Sequence, residues 1–274
     1  MKRVLLTGAS GGVGRRLRQM LPAHYPQLRL SDLKAPDDLA PNEDFVAADL
    51  SDMAAVERMV DGIDGIVHFG AFSVEGPWDA ILNANIVGTY NLFEAARRKG
   101  VKRIVFASSN HVVGFYPRDE RLTTEVTALP DTLYGVSKTF GEGLAAFYAY
   151  KHGLRALCLR IGNFGDTPLD IRRMSIWLQP DDMVQLIKIG LEHPDLDFEI
   201  FYGASDNSRG WWDNARAYRY GYKPSGNSED HLQAAIDGQA KLPPDPVGDY
   251  FQGGPFCSQG FTGDFERMKR RERP

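Results

Sequence analysis

Short apolar runs recur along the chain, each with the length of a buried strand. They occupy residues 4–6, 28–30, 45–48, 63–69, 104–107, 154–161 and 198–202. Most are separated by segments whose apolar residues have helical spacing, at 12–21, 53–60, 83–99 and 133–151. Strands that alternate with helices predict an α/β fold with a doubly wound parallel sheet. Such sheets bind ligands beyond the carboxyl ends of their strands, so functional side chains are expected at that edge.

The alternation weakens after residue 161, where Pro168, Pro180 and Pro194 interrupt it. We therefore predict a core at residues 1–165 and a mixed region at 166–274, integrated into a single domain. The mixed region would contribute the last strand of the sheet, segments that cover the substrate and a loop-rich tail. The terminal stretch FERMKRRERP is typical of a solvated helix end or a disordered basic tail.

Composition and charge restrict the class of partner. The 274 residues include 32 lysines and arginines against 36 aspartates and glutamates, for a net charge of −4. This balance favours a small-molecule ligand over nucleic acid or an anionic membrane. Two cysteines are too few for a disulfide framework or a zinc site, so no metal is expected. No secretory leader or membrane-spanning stretch is visible, so we expect a cytoplasmic protein.

A glycine-rich turn follows the first predicted strand and opens the first predicted helix. Its sequence is TGASGGVG, in which Gly8, Gly11 and Gly14 are spaced three residues apart. Glycines allow the backbone to approach a pyrophosphate, which the helix N-terminus attracts. Asp32 ends the next strand, 18 residues after Gly14, where a carboxylate binds the adenosine ribose and repels a 2′-phosphate. The pattern predicts a Rossmann-type fold that prefers NAD to NADP, with Lys34 near enough to weaken the preference.

The third predicted strand ends at Asp49 and Leu50. The carboxylate of Asp49 is suited to accept a hydrogen bond from the exocyclic amine of adenine, and Leu50 to pack on the ring. Alternatively, Asp49 caps the helix that begins near Met53. Both interpretations stay open.

A tyrosine and a lysine lie four residues apart in YGVSK, Tyr134 to Lys138, and so share one face of a predicted helix. A tyrosine with a pKa of about 10 needs roughly 4 kcal/mol of stabilisation of its charged form to act as a base near neutral pH. A nearby ammonium and an oxidised nicotinamide supply charge of the required sign. The polar cluster from Ser108 to His111, at the end of the fifth strand, would face the same edge.

These motifs together resemble the extended branch of the short-chain dehydrogenase/reductase family. The matching stretches are TGASGGVG, NIVGTYNLFEAA, FASSNHVVG, YGVSK and LRIGNFG, in the order of that family. Ser109 precedes Tyr134 by 25 residues, which is the family's spacing. The resemblance implies that Tyr134 is the general base and that Ser109 holds the reacting oxygen. It implies that Lys138 lowers the pKa of Tyr134 and binds the nicotinamide ribose.

The same resemblance completes the expected NAD site, and it places Asn85 as a support for the fold behind the active site. The expected cofactor contacts are Gly8, Ser10, Gly11, Gly12, Val13, Asp32, Asp49, Leu50, Phe69, Gly70, Ala71, Ser73, Tyr134, Lys138, Ile161 and Phe164.

Further stretches, SSNH, GAFSVE, IRRMSIW, GWWDN and FQGG, resemble the uronate dehydrogenases of that family. The resemblance implies NAD-dependent oxidation of cyclic D-glucuronate or D-galacturonate at C1, which gives the aldarolactone and NADH. A uronic acid needs neutral hydrogen-bonding groups and one cation. The implied substrate contacts are Ser73, Ser109, Asn110, His111, Asn163 and Arg172.

Three of these assignments have alternatives. Arg173 competes with Arg172 for the carboxylate, and either arginine would otherwise form a surface ion pair with Asp170 or Asp166. His111 would otherwise satisfy buried backbone groups. Asn163 and Phe164 depart from the family pattern of a serine followed by a small residue, so the preference between the two uronates is open.

Two other functions fit the same motifs. A nucleotide-sugar epimerase or dehydratase would retain NAD without net reduction, and a non-catalytic redox sensor would bind NAD without needing a base. The apolar residues of segments 83–99 and 133–151 would allow a homo-oligomer.

Overall fold

A seven-stranded parallel sheet forms the centre of the molecule, in the order β3-β2-β1-β4-β5-β6-β9. The computed structural model describes residues 1–270. A separate parallel pair, β7 and β8, lies beyond β6. The strands are β1 Arg3–Thr7, β2 Gln27–Ser31, β3 Glu43–Phe45, β4 Gly65–His68, β5 Arg103–Ser109, β6 Arg155–Ile161, β7 Asn163–Phe164, β8 Trp177–Leu178 and β9 Phe198–Gly203.

Helices follow most strands and cover the sheet. The α-helices are α1 Gly12–Met20, α2 Met53–Val60, α3 Trp78–Ile81, α4 Gly88–Arg98, α5 Leu133–His152, α6 Ile171–Met174, α7 Pro180–Glu192, α8 Ala215–Arg219, α9 Leu232–Gln239, α10 Pro246–Tyr250, α11 Pro255–Ser258 and α12 Phe265–Lys269. Short 3₁₀ helices occupy Leu21–Ala23, Asn110–Val113 and Ser228–His231, and a π-helix occupies Leu82–Val87.

The predicted doubly wound α/β fold is confirmed. Alternate residues of the strands enter two separate cores: Val4 and Leu6 pack with α1 and α7, whereas Leu5 packs with α2, α4 and α5. Side chains on successive residues of a strand point to opposite faces, so a strand covered on both faces is apolar throughout. This is why the buried strands appear in the sequence as short continuous apolar runs.

One predicted strand boundary was wrong. The run at 45–48 predicts a strand there, but the paired strand is Glu43–Phe45, in register with Leu28 to Leu30. Beyond Phe45 only single backbone hydrogen bonds continue toward β2, from the N–H of Val46 to Leu30 and from that of Ala48 to Asp32. The apolar run therefore marks the approach to the cleft rather than the strand itself.

The C-terminal part of the chain returns to the loop that follows β5. The N–H groups of Gln252 and Gly253 donate to the carbonyls of Tyr116 and Gly114, at 2.8 and 2.9 Å. A third core lies under this part, and in it Trp212 stacks on Tyr202 with ring centroids 4.6 Å apart. Segments after residue 166 thus pack on the loop that follows β5, while β9 and α7 belong to the sheet and its cover.

Three sequence expectations concern features of composition. Cys158 and Cys257 are free, buried thiols. Within residues 1–270, no helix combines the length and apolar character that a membrane crossing requires. The basic stretch FERMKRRERP begins in the short helix α12, and its residues 271–274 lie outside the described residues.

Candidate active site

A cleft of about 880 Å³ opens at the carboxyl ends of β1, β2, β4, β5 and β6, which is the edge where the sequence predicts function. It brings together most of the predicted site residues from well-separated parts of the chain. Those in its lining are Gly8, Ser10, Gly11, Gly12, Val13, Asp32, Asp49, Leu50, Phe69, Gly70, Ala71, Ser73, Ser109, Asn110, His111, Tyr134, Lys138 and Ile161.

The glycine-rich turn between β1 and α1 forms one wall with its backbone alone. Gly8 has a φ of 68°, and a Cβ there would lie 2.7 Å from the carbonyl oxygen of Phe69. A Cβ on Gly14 would overlap the carbonyl oxygen of Gly8. Glycine is therefore required at these two positions because the turn packs closely against the loop after β4 and against α1, whose first N–H groups are available to an anion.

Two carboxylates lie at the far end of this wall. Asp32 accepts hydrogen bonds from the N–H of Ser10 at 3.0 Å and of Leu33 at 2.8 Å. Asp49 accepts from the N–H and hydroxyl of Ser51, both at 2.8 Å. Asp49 does not cap α2, which was the alternative from the sequence. The cap is Asp52, which accepts from N–H groups in the first turn of that helix. Both Asp32 and Asp49 are thus held with oxygens at the cleft.

The loop after β4 is fixed from behind by two buried polar side chains. Thr7 Oγ1 accepts from the N–H of Gly70 at 3.0 Å and lies 2.7 Å from Nδ1 of His68. Asn85, in the π-helix, binds both the N–H and the carbonyl of Phe72 and donates to Ser137. A π-helix shifts the helical register locally and is frequent at functional sites. Asn85 lies where the sequence placed it, between this loop and α5.

Ser109, Tyr134 and Lys138 meet in the middle of the cleft. Ser109 ends β5, and Tyr134 and Lys138 lie one turn apart in the first half of α5. Ser109 is close enough to the Tyr134 hydroxyl to lower its pKa, and Lys138 Nζ lies 5.5 Å from the centre of the Tyr134 ring. All three side chains are buried.

Burial sets the protonation of this group. It raises the pKa of Tyr134 to about 12, while the Ser109 hydrogen bond opposes the rise and the charge of Asp131 adds to it. Burial lowers the pKa of Lys138 to about 8. Each charged form is disfavoured because the site removes it from water. A ligand that brings positive charge next to Tyr134 would favour its phenolate.

The N-terminus of α5 is fixed by two side chains. Thr132 accepts a hydrogen bond from the N–H of Gly135 at 3.0 Å, which is a regular N-cap. Glu75, from the loop that carries Ser73, accepts from the N–H of Tyr134 at 3.1 Å. Glu75 therefore joins this loop to the turn that carries Tyr134. It lies in the GAFSVE stretch but was not among the predicted site residues.

Asn110 and His111 form the polar end of the cleft. Both belong to the 3₁₀ turn after β5, where Ser109 accepts from the N–H of His111 at 3.2 Å. Nδ2 of Asn110 is buried and has no hydrogen-bond partner among residues 1–270. A buried amide donor without a partner costs about 1–3 kcal/mol, so this atom marks a place for a ligand acceptor.

Three predicted contacts lie outside the lining of the cleft: Asn163, Phe164 and Arg172. Asn163 follows Gly162, which does line it, and its buried Oδ1 has no hydrogen-bond partner in the described part of the chain. Phe164 packs against the core that contains α1 and α7. Their assigned ligand contacts stay predictions.

Arg172 is buried and its rival Arg173 is not. Arg172 Nε and Nη2 donate to the carbonyl of Gln252 at 2.9 and 2.7 Å. Burial lowers the pKa of Arg172 to about 10, with a smaller effect from the charge of Arg173. Arg173 is ion-paired with Asp170, as the alternative expected, but the pair is partly buried because Asp170 is buried.

Asp131 and Phe256 are two neighbours of the site that sequence reasoning missed. Asp131 binds His111, and Phe256 stacks on the His111 ring with centroids 4.1 Å apart. Asp131 lies three residues before Tyr134, the first residue of YGVSK, so its closeness to the motif could have identified it. Phe256 comes from a distant segment that no local pattern connects to the site.

The cleft fits a dinucleotide. Its lining includes the glycine turn at the N-terminus of α1, where a pyrophosphate would bind, and Asp32 offers carboxylate oxygens at the position for an adenosine ribose. The Ser109, Tyr134 and Lys138 group lies in the same cleft. A nicotinamide cofactor bound along the cleft would therefore place its ring beside that group.

Comparisons with known proteins agree with this geometry. A model of the NAD dependent epimerase/dehydratase family matches residues 4–166. The uronate dehydrogenase of Pseudomonas putida is 44% identical over 259 residues, covering 94% of this chain and 96% of that protein. The uronate dehydrogenase of Agrobacterium fabrum is 48% identical over 258 residues, covering 93% and 97%.

A crystal structure shows the same similarity in three dimensions. The uronate dehydrogenase from Agrobacterium tumefaciens, solved as a tyrosine-to-alanine variant complexed with NAD, superimposes with a TM-score of 0.88 at 47% identity. The match covers 94% of this chain and 97% of that one. The chain therefore belongs to the NAD dependent epimerase/dehydratase family.

Proposed function

We propose that this chain is an NAD-dependent uronate dehydrogenase, which oxidises the cyclic form of D-glucuronate or D-galacturonate at C1 to the aldarolactone. The observation that carries the proposal is the meeting of Ser109, Tyr134 and Lys138 between a dinucleotide wall and an unsatisfied polar end. The similarity to uronate dehydrogenases over nearly the whole chain supports the same activity.

The reaction removes a hydride from C1 and a proton from its hydroxyl. NAD supplies the two-electron acceptor and leaves as NADH, while the C1–O bond becomes the lactone carbonyl. Ser109 donates a hydrogen bond to the C1 oxygen, and the Tyr134 phenolate accepts the hydroxyl proton. The electrons of the O–H bond form the new C=O bond as the C–H electrons leave.

Tyr134 needs positive charge beside it to work as a base. Its pKa of about 12 in the structure is too high for a base at neutral pH. The Lys138 ammonium, with Nζ 5.5 Å from the ring centre, contributes charge of the required sign, and an oxidised nicotinamide adds to it. We propose that Lys138 also binds the nicotinamide ribose. Binding of the cofactor thus prepares the base.

The polar end would bind the rest of the sugar. Asn110 Nδ2 and Asn163 Oδ1 are a buried donor and a buried acceptor without partners in the described chain, which suits sugar hydroxyls. Ser73 and His111 would bind further hydroxyls, and Arg172 would bind the carboxylate. Nε and Nη2 of Arg172 already donate to the carbonyl of Gln252. Nη1 has no hydrogen-bond partner within residues 1–270, so it is the nitrogen that would bind the carboxylate.

The test is NADH absorbance after mixing the protein with NAD and, separately, D-glucuronate, D-galacturonate, glucose and galactose. We expect rapid reduction with uronates only, and a loss of about 10²- to 10⁴-fold in kcat for Tyr134→Phe, because the general base is removed. No reduction by wild-type protein that retains NAD would favour an epimerase or dehydratase. Unchanged turnover in Tyr134→Phe would rule out this mechanism.

A homo-oligomer is part of the proposal. Helix α5 exposes several apolar side chains that a second copy would cover: Leu133, Val136, Phe140, Phe147 and Tyr150. The cytoplasmic location and the division at residue 165 stay predictions from the sequence.

A further inference from the structure

A buried carboxylate lies directly behind the polar end of the cleft. Oδ2 of Asp131 is 2.7 Å from Nδ1 of His111, and the Asp131 side chain is fully buried. Its other partners are neutral: the Thr132 hydroxyl donates to Oδ1 at 3.0 Å, and the Cys257 thiol lies 3.7 Å from Oδ2. Within residues 1–270 no lysine or arginine pairs with it. A buried carboxylate is costly unless its hydrogen bonds are made, so the bond to His111 matters most.

The backbone around Asp131 is shaped to its carboxylate. A Cβ on Gly114 or on Gly253 would overlap Oδ2, although these glycines come from the loop after β5 and from the C-terminal segment. Two separated parts of the chain thus leave room for one carboxylate in one orientation. Phe256 stacks on the other side of the His111 ring, at 4.1 Å between centroids and 29° between planes. The imidazole is therefore fixed both in place and in rotation.

The bond to Asp131 decides which atom of His111 faces the ligand. A carboxylate only accepts hydrogen bonds, so Nδ1 carries the proton, and Nε2 of the neutral ring has a free lone pair. His111 lines the cleft, and its ring meets the edge of Tyr134 with centroids 5.9 Å apart. Nε2 has no hydrogen-bond partner in the described chain.

We propose that Asp131 is a positioning residue: it fixes His111 as the Nδ1–H tautomer and leaves Nε2 to accept a hydrogen bond from a substrate hydroxyl. The role of the hydroxyl rests on the proposed function; the tautomer does not. Asp131 does not line the cleft, so it would reach the substrate through His111, in addition to the effect of its charge on the pKa of Tyr134.

The tautomer is tested first, on the wild-type protein without substrate. Long-range ¹H–¹⁵N correlation at a pH near 8, above the usual histidine pKa of about 6.5, identifies the protonated ring nitrogen. The His111→Gln variant assigns the signal. We expect the proton on Nδ1 only. A proton on Nε2, or on both nitrogens, would overturn the proposal whatever the protein catalyses.

A double-mutant cycle then tests the route of action. Asp131→Asn should lower kcat/KM for the uronate by about 10- to 100-fold, mainly through KM, and by less than about twofold when His111 is already Gln. Equal losses in both backgrounds would show a structural role and overturn the proposal. Cys257→Ala is the matched control, because it removes another neighbour of Oδ2 and should change kcat/KM by less than about threefold.

Failure of this proposal differs from failure of the proposed function. Wild-type protein that oxidises no uronate would refute the function, while the tautomer measurement would still decide the Asp131 bond. Active wild-type protein with equal losses in the cycle would refute only the role of Asp131. Thermal unfolding of each variant shows whether a kinetic loss comes from a folded protein.

Discussion

The two ends of the cleft are built differently. The cofactor end consists mainly of backbone and neighbouring residues: one glycine turn, and the residues that end β1, β2 and β4. The substrate end consists of side chains from distant segments, with Asn110 and His111 after β5, Asp131 before α5 and Phe256 in α11. Both ends are held by contacts between residues far apart in sequence, but the first offers mainly backbone and strand ends and the second offers side chains.

The difference follows from the ligands. A pyrophosphate is satisfied by backbone N–H groups at a helix N-terminus, which any strand, turn and helix with glycines can provide. A sugar needs donors and acceptors at particular points, and side chains with fixed rotamers supply these. The substrate end leaves a buried donor in the lining, Asn110 Nδ2, without a partner in the described chain, whereas both oxygens of Asp32 accept backbone hydrogen bonds.

Lys138 lies where the two ends meet, and replacing it should have the largest effect. Its pKa falls from 10.5 to about 8 on burial, so the folded state binds the proton more weakly. The positive charge of Lys138 therefore lowers the free energy of unfolding. This cost is complete below about pH 8 and disappears above pH 10.5. Lys138→Met should raise the free energy of unfolding at pH 7 by up to about 3 kcal/mol. It should also lower kcat by about 10²-fold or more.

Urea unfolding at pH 7 and pH 10.5, with NADH formation, measures both effects. Lys151→Met is the matched control, an exposed lysine of the same helix that should change neither stability nor turnover. A Lys138→Met protein that is less stable than wild type at pH 7 would contradict the expectation that the buried charge lowers stability.

Substitutions of Arg172 and Arg173 test the substrate end alone. Arg172→Met should lower kcat/KM for the uronate by about 10- to 100-fold, because a charge-assisted bond to the carboxylate contributes about 1.5–3 kcal/mol. Arg173→Met should change it by less than about threefold, since Arg173 pairs with Asp170. The dissociation constant for NAD should stay the same in both.

Steady-state kinetics and calorimetric NAD binding distinguish these outcomes. Arg172 also holds Gln252, so thermal unfolding must accompany the kinetics. A larger loss of kcat/KM for Arg173→Met than for Arg172→Met would mean that Arg173 binds the carboxylate. Equal, small losses of kcat/KM for both variants would mean that neither arginine binds the substrate.

The contrast between the ends also explains what the sequence could predict. The doubly wound sheet, the glycine turn and Asp32 each depend on residues close together in sequence, and periodicity and spacing reveal them. Asp131 and Phe256 escaped because their role depends on where α5 and α11 pack. The bond of Arg172 to Gln252 spans 80 residues, and no local pattern contains such information.

Asp32 tests the cofactor end, where the smallest effect is expected. Its carboxylate is already oriented by the N–H groups of Ser10 and Leu33, so Asp32→Ala removes oriented acceptors from the ribose and a negative charge from the site of a 2′-phosphate. We expect kcat/KM with NAD to fall about tenfold, equivalent to about 1.4 kcal/mol, and the value with NADP to rise. Asp37→Ala, an exposed acid near Lys34, controls for charge alone. Because Asp32 is held at the glycine turn and not in the Ser109, Tyr134 and Lys138 group, the uronate KM should not change. A higher uronate KM in Asp32→Ala would mean that the two ends of the cleft are coupled. The cofactor end would then affect substrate binding as well as cofactor binding.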